Sequence, residues 1–141
     1  MADFFDTFAV ASSGLGAERT RLTTIASNMA NARTTKTAEG GPYRRQVPLF
    51  QAESIDPFGN ELDQATSRVV VTGVSQDTRP PIRQFDPTHP DADSEGFVSY
   101  PDINIMGEMV DLMTAQRAYD ANANVIEATR DMAMTAIGIG K

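Results

Sequence analysis

The chain carries a single histidine, His89, set among carboxylates: "DPTHPDADSEG" places Asp86, Asp91, Asp93 and Glu95 close to it in sequence. An imidazole beside an acid is a common pairing for proton transfer near neutral pH, so a general acid/base or hydrolytic site is the first chemistry to weigh. No nucleophile motif such as G-x-S-x-G accompanies it, and Pro87 and Pro90 bracket His89. A turn between two prolines accounts for the segment more simply than a catalytic histidine does.

The overlapping "DADSEGFVSYPD" puts Asp91, Asp93, Glu95, Gly96, Val98 and Asp102 at positions 1, 3, 5, 6, 8 and 12 of a calcium-loop pattern. Position 12 of such a loop wants the longer, bidentate Glu, position 5 usually takes a shorter side chain, and Pro90 stops an ordinary helix from leading in. The reading favoured here is an Asp-rich turn, with calcium as the alternative. A third cluster, Met106, Met109 and Met113, has the softness of an adaptable groove or a soft-metal site. Its helical spacing and the absence of cysteine point instead to core or interface packing. The single histidine also leaves no His cluster for zinc. No cofactor and no metal site are expected.

Composition narrows the partners. The 141 residues suffice for one ordinary domain, and the net charge of −7 with pI near 4.6 speaks against nucleic acid or anionic lipid, both of which reward Lys and Arg clusters. "RR" at Arg44 and Arg45 is the one basic doublet and reads as exposed strand charge. Asp3 and Asp6 stand where a secretory signal wants positive charge, and no apolar run approaches the length of a membrane span, so neither a cleavable signal nor a span is expected.

The elements that must position these residues follow from proline. All eight prolines lie between Pro42 and Pro101, which divides the chain into an N-terminal segment 1–36, a Pro-rich middle 37–101 and a C-terminal segment 102–141. Phe4, Phe8, Ala11, Leu15, Glu18, Leu22, Ile25 and Met29 alternate steps of four and three. Ile105, Met109, Leu112, Gln116, Tyr119, Ala123, Ile126, Arg130, Ala133 and Ile137 repeat that alternation, and Gly138 and Gly140 are expected to end it. Each stripe predicts a helix of roughly 30 residues, about 45 Å long. The fold class expected is mainly α, with long N- and C-terminal helices paired as a coiled-coil-like unit around a small β/loop region.

In the middle, "YRRQVPLF" and "SRVVVTGV" have strand composition, Pro48 confining the first to an edge or bulge, while "DPFGN", "QDTRPPIRQFDPTHPDADSEG" and "YPD" read as ordered loop. The helices are not expected to be secure alone. Burying the apolar members of one stripe falls short of the entropy of ordering the backbone, and Ala17, Ala30, Ala118, Ala121 and Ala128 leave close-packing sites on the outer surface.

"ASNMAN", residues 26–31, places Asn28 and Asn31 late in the first helix, where amides compete with the backbone for hydrogen bonds. The simplest account is fraying at a helix end. The wider stretch "SSGLGAERTRLTTIASNMANARTT" resembles the N-terminal signature of bacterial flagellar axial proteins. "EGGPYRR", "DPTHPDADSEGFVSYPDINI" and "EMVDLMTAQRAYDANANVIEATRDM", in that order, are similar to segments of the proximal rod FlgC family within that group. The resemblance covers residues 12–50 and 85–135. Ser27, Met29 and Arg33 depart from the usual pattern.

The resemblance implies a non-enzymatic structural subunit of the basal-body rod, polymerising helically through its terminal helices and transmitting torque through repeated contacts. It implies export through the flagellar type III apparatus without signal cleavage, a periplasmic location, and other copies and other rod proteins as partners. Inner contacts are expected from Phe8, Leu15, Leu22 and Ile25 of the first helix and from Met109, Leu112, Tyr119 and Ile126 of the second. Asn28 and Asn31 are expected to fix register at crowded subunit contacts. Three alternatives stand beside this reading. They are another axial component such as a distal rod or hook protein, a cell-wall hydrolase using paired carboxylates, and a generic coiled-coil adaptor.

Overall fold

The computed structural model describes residues 2–55 and 66–139. Helix α1 (Ala2–Ala30) is followed by the antiparallel hairpin β1 (Gln46–Ser54) and β2 (Ser67–Gln76), a second hairpin of β3 (Ile82–Phe85) and β4 (Phe97–Tyr100), and helix α2 (Ile105–Ile139). The class is mainly α, two long helices flanking small antiparallel sheets. The turn expected at "DPFGN" lies outside the described residues.

Both helices form where proline is absent, and their ends have local causes. α1 stops at Ala30 rather than running on to residue 36, because Asn31 turns its amide back: Nδ2 donates to the Ser27 carbonyl (2.9 Å) and Oδ1 accepts from the Thr34 hydroxyl (3.2 Å). α2 begins at Ile105 because Asn104 is its N-cap, Oδ1 accepting from the Gly107 amide at 3.2 Å. Gly138 does not end this helix but lies inside it. The two helices run antiparallel, Asn28 meeting Glu108 near one end and Gly14 meeting Asn122 farther along. A Cβ on Gly14 would come within 2.9 Å of the Asn122 amide, so this crossing needs glycine.

The expected stripe of α2 is shifted by one residue at alternate positions. The side chains it buries are Glu108, Ala115 and Thr129, whereas Met109, Gln116 and Arg130 stand exposed one step away. Apolarity pointed to Met109, but the seam against α1 is built from small or hydrogen-bonded groups. Ala11 is 4% exposed, and Thr129 satisfies its hydroxyl on the Val125 carbonyl (2.6 Å).

β1 and β2 form where the composition predicts strands, with Pro48 beside a bulge: Leu49 pairs Gly73 and Phe50 pairs Val71, leaving Thr72 extra. The Ser13 hydroxyl accepts the Val69 amide (3.1 Å) and so ties β2 to α1. β3 corrects the loop reading of residues 76–96, and β4 takes in Tyr100 of "YPD". Their four-residue strands are too short to show alternation against so many turn formers, and their pairing spans the intervening turn. Gly96, at φ 81°, is needed there because a Cβ would lie 2.9 Å from the Phe85 ring. Val98, only 1% exposed, is the apolar centre of this unit.

Candidate subunit interface

Asn28 occupies a buried junction of three elements. It is 1% exposed, and its amide pairs with the backbone of Gln46 at the start of β1 as a neighbouring strand residue would. Nδ2 donates to the Gln46 carbonyl (2.9 Å) and Oδ1 accepts the Gln46 N–H (2.8 Å). The second Nδ2 proton reaches Glu108 Oε2 (3.2 Å), and the Tyr43 hydroxyl donates to Oδ1 (3.1 Å). Glu108, 2% exposed, is neutralised by Arg45, whose Nε lies 2.6 Å from Oε1. Arg21 and Arg45 each approach Asp111 at 3.9 Å. α1, β1 and α2 are thereby clasped through one polar network.

This placement corrects one expectation: Arg45 is not an exposed strand charge. The hydrogen bonds of Asn28 are made within the chain. Arg44 is exposed as expected. Ile25, 4% exposed, is likewise consumed inside the chain. Asn31 is half-buried and ends the helix. Leu15, Leu22, Leu112, Tyr119 and Ile126 are half-buried, while Phe8 and Met109 are 43% and 42% exposed. The Glu108–Arg45 pair went unnoticed in the sequence, although an acid one turn beyond an N-cap Asn, together with a lone basic doublet, was a signal for it.

Around this polar interior the helices also expose large apolar side chains. Phe5, Met106, Val110, Met113, Met132 and Ile137 are all more than half exposed. Apart from Ile25, the fully buried side chains of the two helices are small or polar, and many large apolar ones are exposed.

The acidic turn is occupied by its own chain. Asp91 accepts from the Thr35 hydroxyl (2.7 Å), Asp93 takes the amides of Glu95 and Phe97 (both 2.9 Å) and the Arg83 guanidinium (2.7 Å), and Asp102 holds Arg79 at 2.9 Å. Among the described residues no three His or acidic groups converge as metal ligands would. His89 Nδ1 accepts the Asp91 amide (3.1 Å), as a turn residue does. The Phe97 and Glu95 amides and Arg83 hold the Asp93 carboxyl below its ordinary range, and Thr88 does the same for Asp86.

A cleft between Pro42, Pro81 and Pro101 contains Asp77 and Asp102, the arrangement a hydrolase would need. Both grip Arg79, and its side-chain hydrogen bond lowers the Asp77 pKa, the wrong direction for a general acid. Among the described residues no helix is long and apolar enough to cross a membrane.

The comparisons fit this division of the chain. Residues 8–36 match the family model described as flagella basal body rod protein, and residues 94–139 match that of the flagellar basal body rod FlgEFG protein C-terminal. The flagellar basal-body rod protein FlgC of Borreliella burgdorferi is 38% identical, covering 96% of this chain and 96% of its own length. Those of Agrobacterium fabrum and Bacillus subtilis are 38% and 35% identical over 94% and 97% of this chain, and 91% and 98% of their own. Two long terminal helices with outward apolar faces, both family matches and relatives aligned over nearly the whole length agree: the chain belongs to the FlgC family of flagellar basal-body rod proteins and is a structural subunit of that rod.

Proposed function

We propose that this subunit works by helical polymerisation through its two terminal helices, paired as a coiled-coil-like unit, and carries torque through many repeated contacts rather than through any catalysed step. The observation that supports this most directly is the packing: Ile25 apart, the fully buried side chains of α1 and α2 are small or polar, while Phe5, Met106, Val110 and Met113 are more than half exposed. A face of that kind is stable in water only when neighbours cover it. Phe8, Leu15, Leu22, Met109, Leu112, Tyr119 and Ile126 remain the contact residues of this reading, with Asn31 at the edge, while Ile25 and Asn28 support them from within. The neighbours are further copies and other rod proteins, met in the periplasm after export by the flagellar type III apparatus without cleavage of a signal.

Adjacent positions on α1 provide the test. Leu22 is half-buried, and Leu22→Asp sets an unpaired carboxylate where neighbours close over it, an error repeated in every subunit. Thr23 is exposed, with its hydroxyl on the Arg19 carbonyl (2.9 Å), so Thr23→Asp makes the same charge change at a solvated site. Swimming and rods in purified basal bodies should be lost in the first strain and kept in the second, with export checked in both. Equal outcomes would refute the placement of the contact face.

A further inference from the structure

His89 Nδ1 accepts the Asp91 amide at 3.1 Å, and an imidazole nitrogen accepts only while it carries no proton. The backbone of His89 holds the same turn at two more points, its N–H donating to the Asp86 carbonyl (3.3 Å) and its carbonyl accepting from the Ala92 N–H (3.1 Å). The residue is half-buried, its ring edge-on to Tyr100 of β4 with the centroids 6.2 Å apart.

Asp91, which this bond orients, is tied to a distant part of the chain. Its Oδ2 accepts from the Thr35 hydroxyl (2.7 Å), and among the described residues this is the one hydrogen bond between the turn and the segment that leaves α1. Ala32 and Arg33 of that segment and Ile82, Gln84 and Tyr100 of the second hairpin line a cleft between the two. The charged and titratable groups about the ring are Asp86 and Asp91 in its own turn, Tyr100 from β4, and Arg33, which shares the cleft with Tyr100.

We propose that His89 is a proton-controlled latch that fixes the β3–β4 hairpin to the end of α1 through Asp91 and Thr35. While the ring is neutral, its bond to the Asp91 amide holds that residue with its carboxylate on the Thr35 hydroxyl. When the ring takes up a proton, Nδ1 becomes a donor facing another donor, and the Asp91 amide loses its acceptor. The imidazolium then draws the Asp86 and Asp91 carboxylates toward itself, the Thr35 bond is released and the cleft opens. Imidazole is the side chain that ordinarily changes charge between about pH 5 and 8, and His89 is the only one in the chain. The latch operates within the single chain, assembled or not.

The test is an NMR titration of the full chain from about pH 8 to about pH 5. The carbon-bound imidazole protons of His89, the exchange protection of the Asp91 amide and the contact between the Thr35 methyl and the Asp91 β-protons are followed together. Protection of the Asp91 amide, corrected for the intrinsic pH dependence of exchange, should fall about fivefold with the same midpoint as the imidazole signals, and the Thr35–Asp91 contact should weaken with it. His89→Asn, which leaves an uncharged acceptor near the Nδ1 position, should keep both at every pH. An imidazole that titrates while Asp91 and Thr35 stay unchanged would overturn the proposal, and so would a fall of the same size and midpoint in His89→Asn. If the variant does not fold, the shared midpoint in the parent chain decides.

Discussion

Asn28→Leu is the sharpest perturbation of the clasp, because it keeps the branched outline of the side chain, at a larger volume, while removing every hydrogen bond the amide makes. The Gln46 N–H and C=O and Glu108 Oε2 then lose a partner behind a residue that is 1% exposed. An orphaned buried group costs about 1 to 3 kcal/mol, with more for a charged acceptor. Gln46 is half-buried, so its two groups belong at the lower end, and the sum comes to about 3 to 6 kcal/mol. That is a large share of the roughly 5 to 15 kcal/mol that holds a domain together. Asn31→Leu removes one bond to Ser27 and one from Thr34 at a half-exposed helix end, about 1 kcal/mol each at most. Urea titration of each purified variant, with amide exchange followed at residues 43–47, should show a severalfold larger loss for Asn28→Leu. A loss no larger than that of Asn31→Leu would refute the view that the clasp operates in the isolated chain.

Two further outcomes follow from the same geometry. Asp77, Asp86 and Asp93 all have carboxyls held below the ordinary 3.8 by hydrogen bonds, so the stability they contribute is fully present above that value and lost as pH falls through the lower folded values. With His89 replaced by Gln, so that no imidazole acceptor titrates in the turn, the β3–β4 hairpin should be indifferent to pH from about 7 to 5 and loosen only below about 4, read from the Phe97 and Thr88 amide resonances; loosening near neutral pH in that background would contradict the assignment. Deleting residues 2–20 should leave exchange protection at 43–47 intact, whereas deleting 2–30 should abolish it by removing Asn28; equal protection in the two truncations would show that β1 does not depend on α1.

The two long helices were legible in the sequence because a Pro-free segment with apolar residues every three or four positions has few other outcomes. The first hairpin was legible from its valines. β3 and β4 were not, since four-residue strands such as "IRQF" and "FVSY" carry too little pattern and are defined by each other across the turn. The seam of α2 was misplaced by one residue for a different reason. A three-four alternation that passes through Met109 takes in Gln116 and Arg130 as polar exceptions, while the helix buries Glu108, Ala115 and Thr129, of which two have partners: Arg45 and Asn28 for Glu108, and the Val125 carbonyl for Thr129. Asn28 shows the same limit. Its amide was correctly read as needing partners, but that they would be Gln46 and Glu108 is a fact of tertiary structure, and no local pattern encodes it.

The location of the clasp has a consequence for how the subunit can be built. Most of the buried residues of α1 lie from Ala17 to Asn28, and on α2 burial is concentrated at Glu108 and Ala115, with Thr129 beyond. Toward the opposite ends, Phe5, Met132, Met134 and Ile137 are more than 60% exposed. Intramolecular support therefore declines from the clasp outward, while large apolar side chains are exposed along the outer face at both ends, Met106 at 69% and Val110 at 58% beside the clasp itself. A directional polar network suits the end near the β hairpins, because it fixes one register of α1 against α2 without needing any neighbour. Non-directional apolar surface suits the outer face of the helices, where, on the reading proposed above, association supplies the missing cover and tolerates small differences in partner shape. The division separates two tasks that one uniform apolar seam would confuse. On the proposed reading, each chain sets its own hairpin geometry largely through hydrogen bonds, and its outer apolar surface is left for contacts between chains.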